Sequence, residues 1–404
     1  MDISTIWEEL ATDTGGRIVL LVLDGGGGLP YPPHGRTALE AAKTPNLDAL
    51  AQGASGGLLE LVGPGITPGS GPGHLSLFGY DPLRFRLGRG VLSALGIDFP
   101  LQVGDLAARM NFATFDDQGR VSDRRAGRIA TDLNQRLCAK LNDGLRLDFD
   151  GELFVETESE HRAVLVLRGA DLSDELPDTD PQRAGLEPVP VVARSPGAER
   201  TAAVVRTFVE QSREILAGEE PANGLLLRGF QCYYPLPALA ERFRLKGLCL
   251  AQYPMYRGVS RLLGMDVGEI TPGFEAQLDT FAAHYGDAHD FYFLHVKGTD
   301  KTGEDGDFDA KVAVIEEVDA LLPRLLKVQP DVLALSADHS TPALMAAHSW
   351  HPVPLLLHSP YVRRDAVSRF TELECLRGAL GLRPGLHLMG LALANAGRLR
   401  KYGA

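Results

Sequence analysis

The sequence is poor in cysteine: four in 404 residues, Cys138, Cys232, Cys249 and Cys375, none in a CxxC pair. That spacing excludes a CxxC-type thiolate zinc site and a dense disulfide framework, and it predicts reduced, mostly buried thiols. No stretch approaches the ~20 apolar residues of a membrane span. There is no dense Lys/Arg run either, and 40 basic against 53 acidic residues give a net charge of -13. Both features argue against nucleic acid or an anionic membrane surface as the main partner. The opening "MDISTIWEELATDTGG" has neither a basic flank nor an apolar core, so a protein without a signal, residing in the cytoplasm, is expected. Neither GxxxxGK[ST] nor a spaced GxGxxG occurs, which argues against nucleotide binding.

What the chain does have is 44% apolar residues and enough length for two or three domains, here read as two lobes. "RIVLLVLD" carries six consecutive apolar residues, Ile18 to Leu23, and ends in Asp24 and four glycines. A strand buried on both faces needs helices on both sides. Thr37 with Glu40 predicts a capping box, and Thr44-Pro45 a second helix start. "NGLLLRG", "FYFLHVKGTD" and "VLALSADHS" read as further buried strands of a mostly parallel sheet. Phe308, Val312, Ile315, Val318 and Leu322 mark a helix that Pro323 should kink or stop. Between residues 101 and 205 alternating segments such as "HRAVLVLRG" predict an inserted α+β lobe. The expected fold is α/β: a three-layer core from residues 1–100 and 206–404, interrupted by that lobe.

Three places run a buried strand into a carboxylate: Asp24, Asp300 and Asp338. With His339 and His348 they form a mixed carboxylate and imidazole set, suited to Mn²⁺ or Zn²⁺ and less to Mg²⁺. In "GPGITPGSGPGHLSLFGYDP", Ser70 sits in a glycine-rich loop that starts a helix, where backbone amides and the helix dipole favour a phosphoryl group. "SDRRAGRI" places Arg124, Arg125 and Arg128 beside Asp123, and His161-Arg162 follows; arginine forks suit carboxylate and phosphate.

Taken in order, "TALEAAKTPNLDALA", "PGS" with "HLSLFGYDP", "GRG", "NFATFD", "DRRAGRI", "HRAVLVL", "DTDP", "LLLRG", "HVKGTDKTGEDG", "ADHSTP", "HSWHPVP" and "KYGA" resemble the archaeal-type 2,3-bisphosphoglycerate-independent phosphoglycerate mutases of the alkaline phosphatase superfamily. The resemblance runs through most of the chain. It implies two divalent metal ions (Mn²⁺, Mg²⁺ or Zn²⁺), with Asp24, Ser70, Asp338 and His339 around one and Asp300 and His348 holding the second. Ser70 would be the nucleophile that carries the phosphoryl group between the two hydroxyls of glycerate. Asp123 would be a proton-transfer residue, and His74, Arg124, Arg125, Arg128, His161, Arg162 and Arg257 would hold the small-molecule phosphoglycerate between the lobes. Assembly into a homo-oligomer stays open.

Two positions depart from the family pattern. Glu304 stands where a histidine is usual, four residues after Asp300, with His295 or Asp305 as alternative ligands; Gly71 stands where many relatives have Asp. Glutamate reaches as far as histidine but adds a negative charge. A metal-dependent phosphatase or another phosphomutase on the same core, and a protein that only binds phosphorylated ligands, are the competing readings.

Overall fold

A computed structural model describes residues 3–286 and 288–403. The chain forms two compact units, Met1–Arg86 with Pro237–Ala404, and Leu87–Leu236. Strands β1 (Ile18–Leu23) and β2 (Ser55–Glu60) open the larger unit. The smaller unit holds β3 (Leu106–Phe115), β4 (Val121–Asp123), β5 (Gly151–Ser159), β6 (Arg162–Gly169) and β7 (Gly224–Cys232). The chain then returns with β8 (Gly247–Cys249), β9 (Asp266–Val267), β10 (Phe291–Val296), β11 (Val332–Ser336), β12 (Val353–His358) and β13 (Gly381–Pro384).

The large sheet has the order β13-β2-β12-β11-β1-β10-β8-β9. It is parallel except at β12, which runs against both of its neighbours. Side-chain alternation explains the layers. Tyr292, Leu294 and Val296 of β10 join Val19, Leu21 and Leu23 of β1 in a core with Ile315, Val318 and Leu322 of helix Phe308–Leu326. On the opposite face, Phe291, Phe293 and His295 meet Phe78 and His74. Helices thus cover both faces of the sheet, giving the expected three layers.

Three sequence expectations differ from the structure. "NGLLLRG" is not a core strand: it lies in β7, which pairs antiparallel with β3 in the smaller unit. The boundaries accordingly fall at 86/87 and 236/237 rather than 100/101 and 205/206. Helix Arg89–Gly96 is drawn into the smaller unit because Gly90 lies against the backbone of β3, where a Cβ would come within 2.2 Å of the Ala107 carbonyl oxygen. Pro323 likewise does not stop its helix, which continues to Leu326. The carbonyl that a proline at that position leaves without its N–H partner, Asp319 O, instead accepts from Asn46 Nδ2 at 3.1 Å. The capping box at Thr37 forms, whereas Thr44 makes no side-chain cap bond. All four cysteines are buried and free, and no helix among the described residues is long and apolar enough to cross a membrane.

Glu372 ties the glycine-rich loop after β1 to the rest of the unit: its carboxylate accepts from Gly28 N at 2.8 Å and from Thr37 Oγ1 at 2.7 Å. Burial pushes this carboxyl up to about 6 from its ordinary value of 4.5. A raised carboxyl contributes stability that is present below pH 4.5 and lost as pH rises through 6. Glu372→Gln should remove a contribution of about 2 kcal/mol across that window. Denaturant unfolding of both proteins at a series of pH values checks this, because the difference between them should change by that amount across the window.

Candidate metal centre

Asp24 follows β1 directly, and Asp338 and His339 follow β11 after one alanine. These strands are neighbours in the sheet, so their carboxyl ends deliver the three side chains to one place. β10 stops at Val296, and Asp300 sits in the first turn of the next helix, Gly298–Glu304. Ser70 begins helix Ser70–Leu77, as its loop predicted. That helix crowds the end of β11: a Cβ on Gly73 would lie 2.0 Å from the Asp338 carbonyl oxygen, so glycine alone permits the approach.

The donors gather into two groups that share one imidazole. Asp24, Asp338 and His339 form the first; Asp300, His339 and His348 form the second. His339 Nε2 is 3.2 Å from Asp24 Oδ1, 3.3 Å from Asp338 Oδ2 and 3.1 Å from Ser70 Oγ. The tautomer follows from Thr341, whose single hydroxyl proton goes to the Asp300 carboxylate at 2.7 Å. Its 3.0 Å contact with His339 Nδ1 must then be received from an Nδ1–H, which leaves the Nε2 lone pair facing Ser70 and the carboxylates. His348 repeats the device. Its Nδ1 donates to Pro68 O at 3.1 Å, Nε2 lies 3.5 Å from Asp300 Oδ1, and its ring stacks on His339 at 3.6 Å.

Asp24 Oδ1, Asp338 Oδ2 and His295 Nε2 are buried and have no hydrogen-bond partner. Unsatisfied buried acceptors that converge on one another fit a divalent cation, and the mixture of carboxylate and imidazole fits that class of ligand. Electrostatics agree. Burial and the neighbouring Asp24 push the Asp338 carboxyl well above the usual range. For Asp24 the burial cost is outweighed, first by the Lys297 ammonium, which helps to hold its carboxyl well below that range. A cation seated between the two would relieve the repulsion.

The remaining expected residues are placed as follows. Glu304 lies at the rim, half exposed, with Oε1 3.7 Å from His348 Nε2. His295 belongs beside the first group, 3.2 Å from Asp24 Oδ2, and Asp305 is exposed. His74 is fully enclosed one turn beneath Ser70: Nδ1 donates to Ser70 O at 2.7 Å and lies 3.3 Å from Asp338 Oδ2, and burial pushes its pKa down to about 3. It therefore braces the backbone of Ser70, and its ring is fully enclosed. Arg257 is buried, with Nη1 donating to Gly268 O at 2.7 Å and Ala251 O at 3.4 Å.

In the smaller unit Arg124 grips Asp180 with two bonds of 2.8 and 2.7 Å, a structural clamp. Asp123 accepts from the backbone N–H of Arg125 and Gly127 at 2.8 and 2.7 Å, fixing a turn in which Ala126, Gly127 and Arg128 all have positive φ. Arg125 and Arg128 are exposed, and Arg162 lies 3.2 Å from Glu160. His161 is buried; burial first, then the charges of Arg162, Arg109, Arg125 and Arg128, push its pKa down to about 3. Those arginines thus form one positive cluster.

Sequence reasoning missed Tyr256, Lys297 and Lys311. Tyr256 donates its hydroxyl to Asp24 Oδ2. Lys311 is almost fully buried, and its Nζ donates to the carbonyls of Gly25 at 2.7 Å, Gly27 at 3.2 Å and Thr341 at 2.7 Å, pinning the two ligand-bearing loops together. A buried lysine on an apolar helix face is the one signal that pointed to it. Lys311→Met removes all three of these bonds, leaving Gly25 O and Gly27 O with only the Thr341 N–H at 3.2 Å, and should lower unfolding free energy by ~2 kcal/mol in denaturant titrations.

The chain as a whole is similar to proteins of one family. Residues 51–223 match the family model described as 2,3-bisphosphoglycerate-independent phosphoglycerate mutase. A Thermus thermophilus protein named probable 2,3-bisphosphoglycerate-independent phosphoglycerate mutase is 51% identical over 407 residues, covering 100% of both chains. A Deinococcus radiodurans protein of the same name is 50% identical, covering 98% of each. The solved cofactor-independent phosphoglycerate mutase of Thermoplasma acidophilum superposes with a TM-score of 0.70 at 33% identity, over 95% of this chain and 100% of that one. A Pyrococcus horikoshii protein does so with a TM-score of 0.82 at 30% identity, over 96% and 100%. With the ligand groups and helix-borne serine in place, this chain belongs to the 2,3-bisphosphoglycerate-independent phosphoglycerate mutase family.

Proposed function

We propose that the chain interconverts 3-phosphoglycerate and 2-phosphoglycerate through a phosphorylated Ser70, in glycolysis and gluconeogenesis. The observation that carries this reading is the Ser70 hydroxyl, 3.1 Å from His339 Nε2 at a helix N-terminus and at the junction of the two ligand groups. Asp24, Asp338 and His339 would hold one divalent cation, and Asp300, His348 and Glu304 with the shared His339 the other. The mixed donor set favours Mn²⁺ or Zn²⁺ over Mg²⁺. Held there, such ions would supply a lowered hydroxyl pKa at Ser70 and would offset charge on the phosphoryl oxygens.

The chain's own residues supply the rest. Gly73 lets the Ser70 helix approach, His74 anchors the serine backbone, and the helix amides face incoming phosphate. In the smaller unit the cluster of Arg125, Arg128 and Arg162 around His161 suits the glycerate carboxylate, and Asp123, fixed by two backbone N–H groups, suits proton transfer between the glycerate hydroxyls. Arg124 supports that loop through Asp180. Four buried free thiols suit a reducing cytoplasm.

Phosphorus NMR of cation-loaded protein with 3-phosphoglycerate tests the proposal. Appearance of 2-phosphoglycerate without bisphosphoglycerate supports it; free phosphate alone would replace the mutase with a phosphatase.

A further inference from the structure

We propose that Lys297 is a catalytic residue of the mutase, the fixed cation that contacts the phosphoryl oxygens during transfer; this rests on the mutase reading above. Its Nζ lies 3.0 Å from Asp24 Oδ2, 2.5 Å from Asp300 Oδ2 and 3.0 Å from Tyr256 Oη. One ammonium thus touches a carboxylate from each ligand group. The rings of Tyr253 and Tyr256 flank it at 5.6 and 5.5 Å.

Access distinguishes Lys297 from its neighbours. The side chains of Asp24, Asp338 and His339 are fully enclosed and that of Asp300 is 1% exposed, whereas that of Lys297 is 34% exposed. It is a cation that reaches from the surface into the ligand cluster. Tyr256, whose hydroxyl Lys297 Nζ contacts, also hydrogen-bonds Ser70, so an anionic ligand at Ser70 comes within reach of this ammonium.

Charge balance makes the contact matter. Asp24, Asp300, Glu304 and Asp338 bring four negative charges, which two divalent cations cancel without remainder, and the imidazoles are neutral. A phosphoryl dianion entering that site finds no net attraction from it. A histidine at position 304 would have left one positive charge over. With glutamate there, Lys297 supplies the fixed positive charge that the ligand set lacks, as a compact ammonium with three donors. Carboxylates engaged with cations no longer need those donors, which become available to the phosphoryl oxygens.

The test compares the parent with Lys297→Met and Lys297→Arg, all loaded with the same cation. Inorganic phosphate binding is followed by calorimetry, cation content by atomic emission, and isomerisation by phosphorus NMR. Lys297→Met should bind phosphate at least about 10-fold more weakly and lose roughly 10²–10³ in kcat, with cation content unchanged. Lys297→Arg should recover phosphate affinity to within a few-fold. Unchanged phosphate affinity in Lys297→Met overturns the inference. So does loss of cations in step with loss of phosphate, which would assign Lys297 to holding the carboxylates. Absence of isomerisation by the parent would instead overturn the mutase reading, and the phosphate comparison would still decide whether Lys297 contacts the anion.

Discussion

Ser70→Ala should lower conversion of 3-phosphoglycerate to 2-phosphoglycerate by at least about 10⁴-fold, because the variant has no oxygen to accept the phosphoryl group. The fold should be unaffected. Gly69 is the N-cap of the helix, so alanine at position 70 removes no cap bond and introduces the best helix former. The hydroxyl's contacts with His339 Nε2 and Tyr256 are lost, and cation binding should persist through the carboxylates and imidazoles. Unchanged unfolding and cation content, alongside lost turnover by phosphorus NMR, would confine the effect to chemistry. Residual turnover near the parent's would mean that glycerate hydroxyls exchange phosphate without Ser70.

The second large effect belongs to His339, the residue common to both ligand groups. His339→Ala deletes a donor from each at once and leaves Asp24, Asp300 and Asp338 crowded together in a buried space. Cation affinity should fall by more than about 100-fold at both positions, since even the outer partners of metal ligands are worth 10–100-fold, and turnover should fall with it. Competition with a chromogenic chelator measures the affinities. Retention of two tightly bound cations by the variant would show that the groups do not share this imidazole. Circular dichroism separates this outcome from misfolding.

The sites at strand ends were legible because a buried strand leaves no room for an idle charge. Asp24 and Asp338 stand where apolar runs stop, and a carboxylate there needs a partner. Ser70 was legible through its glycine-rich loop and the helix pattern that follows. What the sequence did not reveal depends on contacts distant along the chain. Asn46 satisfies the carbonyl at Asp319, and the helix therefore survives Pro323. β7 has a core-like pattern, yet its partner is β3 in the smaller sheet, a choice apolar character cannot make. Arg124 has the sequence setting of a ligand-binding arginine, but Asp180, 56 residues away, occupies its fork. His74 carried a polar label, but the i,i+4 spacing from Ser70 turns it into the packed interior. Lys297 stood inside a recognised motif without a role, because only the folded chain brings Asp24 and Tyr256 to it.

The proposed reaction passes through a covalent phosphoryl group at Ser70, and mass spectrometry of the protein quenched in acid during turnover of 3-phosphoglycerate tests it most directly. One added phosphoryl group, mapped to the peptide that carries Ser70 and absent from Ser70→Ala, is the predicted result. An unmodified peptide under conditions of full turnover would contradict the account and leave direct transfer between the glycerate hydroxyls as the route.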